Sequence, residues 1–156
     1  MSTGYTTKEV AKIINNKHFE YPLNQAMASA WILGNQKGIN LKVINVNEMS
    51  SLADYFVLAS ANNPTQARAM SENIERQMKK NGFLCQSVEG HSEANWILLD
   101  YGDIMIHIFL ETTREVYDLD GLWKDALSVD IPQEYYFTGQ EGDESGVIDV
   151  EEKNYF

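Results

Sequence analysis

Trp96-Ile97-Leu98-Leu99-Asp100-Tyr101-Gly102-Asp103-Ile104-Met105-Ile106-His107-Ile108-Phe109 is the stretch whose reading decides the fold. Two apolar runs flank a four-residue polar turn, Asp100 to Asp103. β-Branched runs bounded by an Asp/Gly cluster predict two antiparallel strands joined by a tight hairpin. Side chains alternate across a strand, so Ile104, Ile106 and Ile108 share one face, and Met105, His107 and Phe109 share the other. Both faces are largely apolar. One is expected to meet the domain's own helices. The other must meet something too, because a large bare apolar patch on a soluble protein marks a contact surface.

Outward from the hairpin, Leu41–Val46 and Asp54–Ser60 read as strands, the second apolar enough to be covered on both faces. Phe83–Glu89 reads as another. Pro22 is expected to open a helix with a Leu23, Met27, Ala30, Trp31, Gly34 stripe that stops at Gly38. Asn63-Pro64-Thr65-Gln66 predicts a capped helix start, with Asn63 accepting the Gln66 N–H and Gln66 reaching back to the Asn63 N–H. That helix carries Met70, Ile74 and Met78 inward and ends at Gly82. Arg68 and Arg76 fall off its apolar stripe and read as solvated. Glu111–Glu115 forms a turn or short helix, Tyr117 packs back, and a last short helix near Asp120 holds Leu122, Trp123 and Leu127. This alternation implies an α/β single domain whose mixed, mostly five-stranded sheet is packed by helices.

A chain of 156 residues with 44% apolar content suits one domain with some tail. Residues 1–21 read as an N-terminal extension, 22–127 as the domain, and 128–156 as an acidic C-terminal tail that does not join the core. The tail holds eight acids against one base, most of the net charge of −11. Tyr135-Tyr136-Phe137 is an aromatic cluster in it that is able to dock. A net negative chain is repelled by phosphates, so no direct grip on nucleic acid is expected. No apolar run is long enough to cross a bilayer, so no membrane role is expected. The start lacks a signal-peptide pattern, and the single Cys85 forms no internal disulfide; a cytoplasmic setting is the simplest reading.

Chemistry is sparse. His18, His91 and His107 show no zinc-ligand spacing. His107 is placed to pair with Asp100 or Asp103 across the hairpin, but no nucleophile or substrate group accompanies it. Cys85 lacks an activating base. No metal and no cofactor is implied.

The hairpin carries a resemblance. Trp96 through Asp103 with His107, preceded by Val88-Glu89-Gly90 and followed by Tyr117-Asp118-Leu119 and Leu122-Trp123, resembles the ribosomal silencing factor family, RsfS or Iojap. Asp54-Tyr55-Phe56-Val57 fits the same pattern. The likeness covers roughly residues 22–127, in the family's order.

The resemblance implies a nucleotidyltransferase-like fold without the catalytic set. The loop after the second strand, Ser60-Ala61-Asn62-Asn63, has no glycine for a triphosphate. No Asp-x-Asp lies on a strand for paired Mg²⁺ ions; Asp118 and Asp120 have the spacing but read as a helix start. The implied activity is therefore not enzymatic. It is binding of the large ribosomal subunit through ribosomal protein L-fourteen, which excludes the small subunit and represses translation. The expected contact residues are Trp96, Leu98, Asp100, Tyr101, Gly102, Asp103, Met105, His107 and Phe109, with Tyr101 and Asp103 the most exposed. The alternatives are a metal-dependent nucleotidyltransferase-like enzyme using Asp54, Asp100 and Asp103, and a dimeric adaptor for a non-ribosomal partner. Two-sided apolar strands also suit a homodimer when the protein is free.

Overall fold

The computed structural model describes residues 3–136. The chain runs through α1 (Thr3–Ile14), α2 (Leu23–Asn35), β1 (Ile39–Asn45), β2 (Tyr55–Ala61), α3 (Pro64–Lys80), β3 (Ser87–Glu89), β4 (Trp96–Asp100) and β5 (Ile104–Leu110). It continues through α4 (Glu111–Tyr117), α5 (Leu119–Leu122), β6 (Leu127–Val129) and a 3-10 turn, Gln133–Tyr135. The sheet order is β3-β4-β5-β2-β1-β6. The central β2–β5 pair is parallel and the other pairs are antiparallel.

The hairpin forms as expected. Ile97 faces Ile108, Leu98 faces His107 and Leu99 faces Ile106. The Gly102 N–H donates to the Asp100 carboxylate at 2.8 Å, and Gly102 adopts φ +88°. Aspartate turns the chain back, and glycine takes the left-handed backbone without a Cβ clash.

The two faces of the sheet bury different cores. Leu41, Val43, Val57, Ala59, Ile97, Leu99, Ile104, Ile106 and Ile108 pack with α1, α2 and α3. α2 contains no charged residue and is buried from Gln25 to Gly34, as a helix apolar all round should be. α3 buries Met70, Ile74 and Met78 as its spacing predicts. Ile44, Phe56, Leu58 and Phe109 form a smaller cluster on the opposite face with Leu119. β2 therefore lies between two cores, which explains its continuous apolarity.

Several expectations need correction. The sheet has six strands, not five, because Leu127–Val129 pairs with β1. The chain does not leave the core at residue 128: Ile131 packs on the main core and Tyr135 is buried in it. Tyr135 crosses α2 at Gly34, where a Cβ would collide with the Tyr135 carbonyl oxygen. The acidic positions from Glu141 to Glu152, and Phe137, lie outside the described residues. At the other end, the 1–21 extension contributes Val10 and Ile13 to the main core. Its tandem of apolar positions is short, yet α2 offers them an apolar partner surface.

Local details shift as well. Pro22 caps α2 instead of opening it, and the left-handed residue after α2 is Lys37, with the Gly38 N–H donating back to the Leu33 carbonyl. Asn63 accepts the Gln66 N–H at 2.8 Å, but the Gln66 side chain accepts from Asn62, one residue earlier than expected. Only Ser87–Glu89 of the 83–89 run forms a strand. Arg68 is not simply solvated: it donates to the His91 and Ser92 carbonyls and holds the loop that leads to β4.

Candidate functional site

Strand alternation sends Trp96, Leu98, Asp100, Met105, His107 and Phe109 to the face opposite the helices. Cross-strand pairing sets Trp96 beside Phe109, Leu98 beside His107 and Asp100 beside Met105. The parallel neighbour β2 adds Phe56, level with Met105. The result is a row of rings. Trp96 lies 4.8 Å from Phe109 and 6.0 Å from His107, centroid to centroid. His107 meets Phe56 at 4.9 Å, and Phe56 meets Trp123 edge-on at 5.2 Å. Such tilted and edge-to-face contacts are the favoured aromatic geometries.

His107 does not pair with Asp100 or Asp103. The Trp96 Nε1–H donates to its Nδ1 at 3.1 Å. An accepting Nδ1 puts the neutral ring's proton on Nε2, which is buried without a partner. Burial among rings pulls the imidazole down to about 4. At neutral pH the histidine is an uncharged member of an aromatic cluster.

The expected contact residues do not all reach the surface. Trp96, Leu98, Asp100, Gly102 and Met105 are half-buried and Asp103 is exposed. His107 and Phe109 are buried and support the layer from below. Tyr101 is a correction: only 6% exposed, it belongs to the main core. Residues 100 and 102 fold the turn, while the residue between them turns inward beside Cys85. Burial holds its phenol far above the usual range.

Sequence reasoning missed the wall of this face. α4 and α5 leave Val116 78%, Tyr117 61% and Leu122 70% exposed. Tyr117 does pack back, with its ring 5.0 Å from Trp96, but its outer edge stays open. Beside it lies a depression of about 380 Å³ lined by Gly90, Glu93, Asn95, Trp96, Thr112, Thr113, Val116 and Tyr117. The signal available was Asp118, which adopts φ +48° between α4 and α5 and accepts the Gly121 N–H. A left-handed break there rotates the second helix relative to the first. Leu127, expected in that last helix, lies in β6 instead.

The three carboxylates of the enzymatic alternative have separate local roles. Asp54 accepts from the Asn47 amide at 2.6 Å, Asp103 from the Tyr21 hydroxyl at 2.6 Å, and Asp100 from Gly102. Among the described residues no group of three or more His, Cys, Asp or Glu side chains is placed to hold a metal. Asp118 and Asp120 start a helix, as the sequence indicates. A larger cleft, about 1530 Å³, opens where β2 and β5 end, lined by Lys42, Ser60, Arg114 and Asp120 among others. Its buried guanidinium is already engaged by protein acceptors.

Known proteins bear on this arrangement. A relative from Bacillus subtilis, named ribosomal silencing factor RsfS, is 34% identical over 92 residues, covering 59% of this chain and 78% of its own. A mouse relative, "Mitochondrial assembly of ribosomal large subunit protein 1", is 27% identical and covers 78% of this chain and 58% of its own. The chloroplastic protein Iojap of Arabidopsis thaliana is 29% identical over 111 residues, 70% of this chain and 45% of its own. A crystal structure from Bacillus halodurans superposes with a TM-score of 0.60 at 25% identity, covering 72% of this chain and 100% of that one. Residues 20–154 match the family described as "Ribosomal silencing factor during starvation", and the chain belongs to that family.

Proposed function

We propose that this protein represses translation in the cytoplasm by binding the large ribosomal subunit through ribosomal protein L-fourteen, so that the small subunit is sterically excluded. Occupancy of the site produces the effect, and no reaction is required. The observation that carries this reading is the aromatic face: Trp96, Leu98 and Met105 stand half-open over buried His107 and Phe109. Exposed Tyr117 and Val116 wall it, Glu93 lines the depression beside them, and Asp103 is exposed at the hairpin turn. Large rings with a polar rim are the make-up of interface centres, and an acidic rim speeds encounter with a basic protein surface.

Cosedimentation with separated ribosomal subunits tests the reading. Wild type is expected to travel with large subunits alone, and Trp96→Ala and Leu98→Asp proteins to stay at the top of the gradient. Wild type that stays at the top at low and moderate salt would overturn it. The same open face also favours a homodimer when the protein is free. Sedimentation of the isolated protein is expected to show a dimer that large subunits dissociate, because one face serves both contacts.

A further inference from the structure

Arg114 is 8% exposed, a rare depth for a guanidinium. It lies on α4, the helix that begins directly after β5. Its Nε and Nη2 donate to the two Asp120 oxygens, each at 3.0 Å. Its Nη1 donates to the Asn40 carbonyl at 2.7 Å and to the Ser60 hydroxyl at 3.0 Å. One side chain thus joins the ends of β1 and β2 to α5. Lys42 of β1 reaches the same carboxylate at 2.9 Å. Hydrogen bonding from Arg114, reinforced by Lys42, holds the Asp120 carboxyl well below the usual range.

This knot brackets the wall of the docking face. Tyr117 lies between Arg114 and Asp120 in sequence, and its ring rests on Trp96. Trp123 follows three residues after Asp120, and its ring rests on Phe56. The left-handed Asp118 gives the α4–α5 junction a bend that seven-residue and four-residue helices cannot hold by themselves. A planar fork fixes both ends of such a bend, whereas a lysine would satisfy one acceptor at a time.

We propose that Arg114 is a positioning residue for the docking face: its fork on Asp120, anchored to Asn40 and Ser60, sets the angle at which α4 and α5 present Tyr117 and Trp123 beside Trp96. This rests on the proposed ribosomal reading of that face, but the geometry is testable without ribosomes. Arg114→Lys and Asp120→Asn proteins are compared with Ile74→Val, which trims the opposite core in α3. All are measured well below their Tm.

In the isolated proteins, the indole N–H resonances of Trp96 and Trp123 are expected to shift in the Arg114→Lys and Asp120→Asn variants, while that of Trp31 stays in place. Ile74→Val should leave Trp96 and Trp123 unmoved. Large-subunit affinity is expected to fall roughly tenfold in the two knot variants, with Ile74→Val unchanged. Should Arg114→Lys fail to fold, Asp120→Asn carries the comparison, since it keeps an acceptor oxygen. Knot variants with lower Tm but unmoved Trp96 and Trp123 resonances would overturn the proposal and leave Arg114 a purely stabilising residue. Shifted resonances in a protein whose wild type binds no subunit would uphold the positioning role and refute the ribosomal reading instead.

Discussion

The indole N–H of Trp96 donates to Nδ1 of His107 across the β4–β5 hairpin at 3.1 Å. The indole has no other donor, so its side chain offers a partner only the carbon rim of the ring. Its contribution to docking should therefore be apolar area. Trp96→Phe is expected to retain most binding, whereas Trp96→Ala should cost about 2–4 kcal/mol, roughly thirty-fold to nearly a thousand-fold in affinity. Titration of large subunits with each folded variant checks this. Equal losses for Phe and Ala would mean that the indole N–H, not the ring area, matters.

His107 also makes stability depend on pH. Its folded-state pKa, about 4, lies below the usual 6.5 because burial disfavours the charged ring. As pH falls below about 6.5, the unfolded chain takes up the proton first. The contribution is thus complete above that pH and is lost between about 6.5 and 4, amounting to ~3 kcal/mol at most. Urea midpoints at pH 7 and pH 4.5 should converge in His107→Phe relative to wild type. An unchanged pH dependence in that variant would assign the loss to other groups.

Tyr101 is buried, and its hydroxyl has no well-formed hydrogen bond; the thiol of Cys85 beside it is a poor partner. Removing an unsatisfied buried hydroxyl relieves a desolvation cost. Tyr101→Phe is expected to leave stability unchanged or to raise it by up to about 1 kcal/mol. Large-subunit binding should not change. Weakened binding would show that Tyr101 swings outward in the complex.

Gly34 tests the C-terminal strap. A methyl there meets the Tyr135 carbonyl, which is backbone and cannot rotate aside. Gly34→Ala should therefore lift residues 131–136 from α2, at a cost of about 1–3 kcal/mol despite the better helix propensity of alanine. Thermal melts measure the loss, and proteolysis after residue 129 should accelerate. A stabilised Gly34→Ala protein would mean that the strap is not held against α2.

The hairpin, the two long helices and the Asn63 cap were legible because each is a local pattern: period two, period four, and an Asx side chain ahead of proline. The double-covered β2 was legible from its unbroken apolar run. The sixth strand was not, since Leu127-Ser128-Val129 is three residues long and gains its meaning from the free edge of β1. Tyr101 was misplaced because turn position alone does not say which way a side chain leaves the turn. The exposure of Val116, Tyr117 and Leu122 was not foreseen, because the direction of α4 and α5 turns on one left-handed residue, Asp118.

By itself, the sequence determined the hairpin with its two apolar faces, the two long helices and the family, since these follow from residue order and local backbone preference. Only the tertiary structure decided which face of the hairpin became core. Ile97, Leu99, Ile104, Ile106 and Ile108 met the long helices α2 and α3 and disappeared, while Trp96, Leu98 and Met105 met only two short helices and stayed half-open. Apolar burial has no direction of its own, so the choice between two equally apolar faces rests on where the rest of the chain supplies a partner surface.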